Sequence, residues 1–353
     1  MIWRVLRTDQ AQEWRETVAG HVRADVYFLP EYHRVYERNG DGVARAFVAQ
    51  DEDKVLFYPF MMRLIEKVAG EAPDEEWFDI ETVYGYSGPV SNTADPAFLS
   101  EAWNFFSEWC RKQRIVAEFV RFNPLLENHR TLDLWYSVSF DRETVMIKLA
   151  GGEETLWQSY PSVQRNMVRK ALKNGLECGE MEPARGMPAF KQLYYQTMAR
   201  AGATPYYFFS GAYFESLVNL LADHLRLFVV RRDDLIVGAS LLLSYGDTVH
   251  YHLSASLEGY QQFAPTNLLL HTAALWCLEH GYRKFHLGGG RTPGPDDSLL
   301  QFKSRISKLR CRYYTGRRVH NAEAYEALCL RWMKAHNVHG RPDYFLLYRL
   351  EDF

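Results

Sequence analysis

The sequence predicts an α/β protein built from two similar units in tandem, each a mixed, mostly antiparallel sheet with a crossover helix. Three observations carry this expectation. The chain has 353 residues, 47% of them hydrophobic and 15% aromatic, which suits about two domains with cores of their own. The order strand, strand, helix, strand occurs once in each half. The dipeptide Trp-Cys stands near the end of the long helix of both halves, at Trp109–Cys110 and Trp276–Cys277. An offset of about half the chain is what an internal duplication produces.

In the first half, ARAFVAQ (44–50) and KVLFYPFMMRLI (54–65) read as neighbouring strands turned by Asp51, Glu52 and Asp53. FDIETVYGYSGPV (78–90) reads as a strand closing on Gly88–Pro89, followed by a helix over 96–114 and the strand IVAEFVRF (115–122). In the second half, LRLFVVRR (225–232), LIVGASLLLSYG (235–246) and TVHYHLSAS (248–256) are successive strands, turned by Asp233–Asp234 and Gly246–Asp247. A helix over 266–281 and the strand YRKFHLGGG (282–290) complete the second set. Both long helices are apolar around much of their circumference, as expected of helices packed between a sheet and other elements. Residues 151–182 open on Gly-Gly and offer a helix at about 161–174, ended by Gly175. The expected division is 1–150 for the first unit, 151–182 for a linking basic helix and strand, and 183–353 for the second unit.

Charge is uneven. The net formal charge is −3, yet residues 1–150 hold 17 Lys+Arg against 25 Asp+Glu, while residues 151–353 hold 24 against 19. The stretches QRNMVRKALKNG (164–175) and QFKSRISKLRCRYYTGRRVH (301–320) contain four and seven basic residues and no acid, which allows an anionic ligand or a phosphate backbone. Arg165, Arg169 and Lys173 recur at helical spacing on one face, a credible phosphate track or a solvated face. In DSLLQFKSRISKL (297–309), Leu299, Phe302, Ile306 and Leu309 form one stripe. Lys303 and Arg305 flank that stripe, and Lys308 points away.

Other chemistries are excluded or disfavoured. No run of about 18 apolar residues suits a membrane span, and the first residues lack a signal-peptide pattern. Five scattered cysteines without a CxxC pair argue against a disulfide framework or zinc knuckle, so the expected location is the cytoplasm with reduced thiols. No G-x-S-x-G, H-E-x-x-H, Walker or G-x-G-x-x-G motif occurs. His250 and His252 share one strand face, but no third ligand is suggested, so the expectation is an ordinary polar pair and no metal. His286 reads as a packed strand residue. Gly288 and Gly289 either let the backbone approach a substrate or simply end the strand.

YPSVQRNMVRKALKNGLEC, followed by YHLSAS…APTNLLLHTAALWCLEHGYRKFHLGGG…DSLLQFKSRIS, resembles the FemX/FemAB aminoacyltransferases, whose fold is a duplicated GNAT (acyl-CoA N-acyltransferase) fold. The resemblance covers nearly the whole chain and is strongest over 160–175 and 250–307. It implies transfer of an amino acid from aminoacyl-tRNA to an amine of a peptide or cell-wall precursor, with no cofactor. It also implies that Lys303, in the Phe302–Lys303 pair, serves the oxyanion or donor end. Tyr251 matches a strand tyrosine near the acceptor, and Arg165, Arg169, Lys173 and Arg305 would meet the tRNA.

Two departures matter. Family members resemble GPV-x-D after the fourth strand, where the aspartate is a proposed base; this chain reads GPVSN, with Asn92 in that substrate-site position. Asn cannot accept the proton at neutral pH, so another group does or the role is absent. The alternative activity is an acyl-CoA-dependent N-acyltransferase acting on an amino sugar or a metabolite amine. CoA users of this fold resemble Q/R-x-x-G-x-G/A before the crossover helix, whereas YQQFAPTN (260–267) has Gln261 and Gln262 without the glycines. A scaffold that keeps the fold without activity is the third reading.

Overall fold

A computed structural model describes residues 1–21, 23–130, 132–294 and 296–350. In chain order the elements are β1 (Ile2–Arg7), α1 (Ala11–His21), α2 (Pro30–Asn39), β2 (Val43–Asp51), β3 (Lys54–Leu64), β4 (Phe78–Glu81), β5 (Val90–Ser91), α3 (Pro96–Lys112) and β6 (Ile115–Arg121). Then follow β7 (Ser137–Lys148), α4 (Glu153–Ser159), α5 (Ser162–Lys173), β8 (Leu176–Met181), α6 (Pro183–Arg200), α7 (Gly211–Leu220), β9 (Leu225–Arg232) and β10 (Leu235–Tyr245). The last are β11 (Thr248–Ser256), α8 (Pro265–Glu279), β12 (Lys284–Gly289), α9 (Ser298–Ser304), β13 (Leu309–Val319) and α10 (Ala322–Ala335).

The chain forms two compact units, one of residues 1–141 with 313–353 and the other of residues 142–312. Their sheets share one plan. In the first unit the strand order is β1-β2-β3-β4-β6-β13, and in the second it is β8-β9-β10-β11-β12-β7. The neighbours β4 and β6 run parallel, as do β11 and β12. A parallel pair needs a crossover, and α3 and α8 supply it. Trp109 and Trp276 are both 9% exposed near the ends of these helices, each followed by a fully buried cysteine. The repeated Trp-Cys therefore marks equivalent positions of a duplicated unit.

The unit boundaries differ from the linear division expected. Residues 151–182 are part of the second unit rather than a link: α5 buries Gln164, Val168 and Ala171, and β8 pairs with β9. Residues 313–353 return to the first unit. There β13 pairs with β6, and α10 packs Tyr325, Leu328 and Trp332 with Ile65, Val68 and Val116. The sixth strand of each sheet comes from the other half of the chain. Strand pairing is chosen in space, and a reading along the sequence assigns such strands to the wrong neighbour.

Two elements also differ from expectation. The strand over 78–90 is only β4 and β5, because Pro89 has no N–H for a ladder and the Tyr84 carbonyl accepts from the Tyr32 hydroxyl at 2.8 Å. The helix over 297–309 is shorter, and much of the basic run behind it is the strand β13. Its arginines are paired: Arg310 with Glu143 at 3.7 Å, Arg317 with Asp343 at 3.3 Å, and Arg318 with the fully buried Glu118 at 3.9 Å. These three are ion-pair partners rather than a free cationic track.

The second core is centred on α8, which buries Leu268, Leu269, Leu270, Ala273, Ala274 and Cys277. Each leucine side chain taken out of water contributes about 1.5–3 kcal/mol, and the helix is apolar all round because it lies between α5 and the sheet.

Candidate functional site

The glycines that end β12 answer to two close approaches. Gly288 follows an irregularity in the β12–β7 ladder and takes a positive φ of 74°, a conformation that costs other residues energy. At Gly290 an added Cβ would lie 2.3 Å from Asp297 Oδ1, so the carboxylate occupies the space a side chain would need. Asp297 caps α9 by accepting from the Leu300 N–H at 2.8 Å, and it also accepts from the Arg291 and Thr292 N–H groups at 2.8 and 2.9 Å. Burial would raise its pKa, but these donors hold it down at about 2.

This cap sets the start of α9 and so places Lys303. The side chain is 6% exposed, and its Nζ donates to the Gly289 carbonyl at 2.6 Å. The flank position expected from periodicity is in fact a buried one, and α9 stops at Ser304, whose hydroxyl bonds back to the Leu300 carbonyl at 2.6 Å. Ile306 is fully buried, and Lys308 lies beyond the helix. Burial pushes the Lys303 ammonium down from 10.5 to about 7, against the pull of Asp297. Gly289 takes one of its three N–H donors. Such a group can offer hydrogen bonds to an oxyanion and can also release a proton near neutrality.

Beside it lies a set of histidines. His250 and His286 are partners in the parallel pair, both 1% exposed, with Nδ1 atoms 3.2 Å apart. His286 Nε2 is 2.9 Å from Thr144 Oγ1, and Gly289 is the strand partner of Thr144. Burial first, then His250 and Lys303, hold His286 well below its ordinary pKa. His252 shares a hydrogen bond with the Tyr213 hydroxyl at 3.2 Å, and burial with His250 pushes it down to about 3. Among the described residues, no group of three or more His, Cys, Asp or Glu could hold a metal.

The other expected site residues are distributed. Phe302 packs partly buried against the α8 core, which fits holding α9 in place. Tyr251 alternates with the histidines on β11 and packs against that same core; burial raises its hydroxyl to about 12, against a hydrogen bond with Ser254. Its placement is therefore a packing position on the face opposite His250. Gly288 and Gly289 are at the Lys303 anchor. Asn92 is in the first unit, where Oδ1 accepts from the Val55 N–H at 2.8 Å and Nδ2 donates to the Asp53 carbonyl at 2.7 Å. Its amide latches the β2–β3 hairpin. Arg165 donates to the Tyr160 carbonyl, closing the turn before α5. Arg169 is exposed with its guanidinium 5.2 Å from the Trp157 ring centre, while Lys173 and Arg305 are exposed.

Thr144 and the pairing of His250 with His286 escaped the sequence reading. The His250/His252 alternation was visible, but the partner strand was not, since β12 follows β11 only through α8. Nothing in the residues around Thr144 marks it.

At the start of α8, Pro265 has no N–H, Ala264 rather than a glycine takes the left-handed turn with φ 59°, and the Asn267 side-chain Nδ2 donates to Gln164 Oε1 at 2.6 Å. An anion cradle at a helix N-terminus needs free backbone N–H groups and usually glycine. The residues here do not fit that form of CoA pyrophosphate binding.

An Acetyltransferase (GNAT) domain model matches residues 162–304, from α5 to the last residue of α9. Over 280 residues the chain is 27% identical to the UDP-N-acetylmuramoylpentapeptide-lysine N(6)-alanyltransferase of Weissella viridescens, covering 73% of this chain and 81% of that one. The crystal structure of FemX has a TM-score of 0.69 at 15% identity, covering 93% of this chain and 99% of that chain. The structure of L-PGS from Bacillus licheniformis has a TM-score of 0.55 at 12% identity, covering 95% and 98%. The chain is thus similar to the FemX/FemAB-like proteins over most of its length, has the duplicated GNAT fold with a GNAT domain over residues 162–304, and is a transferase of the acyltransferase class.

Proposed function

We propose that the protein is a FemX-like aminoacyltransferase of the cytoplasm. It moves an amino acid from aminoacyl-tRNA to an amine of a peptide or cell-wall precursor, without a bound cofactor. The observation that carries this reading is the buried Lys303 ammonium on Gly289, in a chain similar along most of its length to a lysine N(6)-alanyltransferase. The acceptor nitrogen attacks the ester carbonyl; the C–N bond forms, the C–O bond to the ribose breaks, and the nitrogen's proton ends on the ribose oxygen. Lys303 donates to the oxygen that gains charge, an interaction of about 2.7–4 kcal/mol in comparable sites. Holding donor and acceptor in line supplies roughly 7–11 kcal/mol more, so no covalent nucleophile is needed. The α8 start, without glycine and with Pro265, favours the tRNA ester over an acyl-CoA.

Of the four cations expected to meet a phosphate backbone, Arg169, Lys173 and Arg305 are exposed. With about three phosphate contacts, a log–log plot of tRNA affinity against salt falls with a slope of about −2 to −3. A fluorescence anisotropy titration with charged tRNA at rising salt measures it. Tight acyl-CoA binding with no tRNA affinity would replace this reading by the acyl-CoA one.

A further inference from the structure

The hydrogen-bond directions beneath Lys303 can be read from one end. Thr144 Oγ1 is 3.3 Å from the Cys311 carbonyl, and a carbonyl only accepts. The hydroxyl hydrogen therefore points to Cys311, and the oxygen accepts from His286, whose Nε2 must carry a hydrogen. His286 is buried and neutral, so its Nδ1 holds a lone pair. The facing His250 Nδ1, 3.2 Å away, then has to be a donor. The order is His250 to His286 to Thr144 to the Cys311 carbonyl, each step dictating the next. The chain ends at the residue paired with Gly289, the anchor of Lys303.

We infer that Thr144 and His286 are positioning residues for Lys303: the locked Nε2–H tautomer turns no ring lone pair toward the ammonium, so the lysine's remaining donors serve the substrate. This rests on the proposed role of Lys303 in the transfer reaction. The titratable and charged groups around the lysine are Asp297 before α9, His286 on β12, His250 behind it on β11, and Arg142 on β7. The Arg142 Nη1 donates to the Gly290 carbonyl at 3.0 Å. Of these, His286 is the group whose lone pair can be turned by a single neighbouring hydroxyl. Thr144→Val keeps the shape and removes that hydroxyl; Thr144→Ser restores it.

The test needs no substrate. In protein with ¹⁵N-labelled histidine rings, NMR is expected to show His286 protonated at Nε2 only from about pH 6 to 8, with the hydrogen between the two rings on His250 Nδ1. In Thr144→Val the His286 proton moves to Nδ1, and its Nε2 lone pair accepts from the ammonium. The titration midpoint of Lys303, followed with ¹³C-labelled lysine, then rises by about one pH unit. Thr144→Ser returns both readouts to wild type. In the transfer reaction the alkaline limb of the pH profile moves up with that midpoint, and kcat falls about tenfold with KM unchanged. Opposite tautomers in the wild type overturn the inference, as does a Lys303 midpoint that stays put when the His286 tautomer changes. Should Thr144→Val fail to fold, the wild-type tautomers decide. Absent transfer with the expected tautomers and midpoints would count against the proposed function alone.

Discussion

Lys303→Met is expected to lower turnover by about a hundredfold or more, the usual loss for one oxyanion donor, while the protein stays folded. The folding part of this expectation follows from burial. Lys303 is 6% exposed, and its pKa falls from 10.5 to about 7 on folding. The unfolded chain therefore binds more protons than the native one between those values, and stability rises with pH across that window. Below about pH 7 the buried ammonium costs the native state of order 5 kcal/mol relative to its charge in water. Methionine fills the same slot without a charge, although it leaves the Gly289 carbonyl short of a donor. The variant should match or exceed the wild type in urea midpoint at neutral pH and lose the rise between about pH 7 and 10.5. Lys308→Met, at an exposed position beyond α9, is the control and should change neither turnover nor midpoint appreciably. Equal turnover in the two variants would remove Lys303 from the reaction.

Asp79→Ala is expected to give the largest loss of stability, about 3–5 kcal/mol, because it takes the carboxylate from the Arg349 guanidinium and leaves Arg63 with Glu81 alone. Asp79 is fully buried. It accepts from Arg63 Nε at 2.9 Å and from Arg349 Nε and Nη2 at 2.8 and 3.0 Å. Burial pushes its pKa up, but Arg63 and then Arg349 outweigh it, and the net shift is below 3.8. The sign follows: the pair stabilises the fold above 3.8 and loses its effect as pH falls through the depressed native value. The variant should lack this acid dependence. Since Arg349 comes from the C-terminal segment, hydrogen exchange at Leu347–Leu350 should also rise in Asp79→Ala. Unchanged exchange there would contradict the assignment of residues 313–350 to the first unit.

Much of the sheet was legible because its signals are local. Alternation and turn residues bounded β9, β10 and β11 nearly to the residue, and the Trp-Cys repeat marked α3 and α8 as equivalent. Non-local pairing was not legible. β13 was read only as part of a basic run because Arg310, Arg312, Arg317 and Arg318 hide the alternation of Tyr313 and Thr315, and its partner β6 lies about 200 residues away in a ladder no spacing rule reaches. The site shows the same split. Lys303 stood out by its resemblance and by its place after the glycines, yet its burial rests on a contact with the Gly289 carbonyl, which helical periodicity does not reveal. Arg165 looked like a free phosphate ligand, and the carbonyl of Tyr160 that occupies it belongs to a turn whose geometry is not encoded in charge.

The central claim is tested most directly by mixing the purified protein with aminoacyl-tRNA and a lysine-containing UDP-N-acetylmuramoyl-pentapeptide, and weighing the acceptor by mass spectrometry. The expected result is a gain of one amino-acid residue on the lysine amine, dependent on charged tRNA and reduced about a hundredfold or more in Lys303→Met. An acceptor left unchanged by every charged tRNA, and acylated instead when acyl-CoA is supplied, would contradict it.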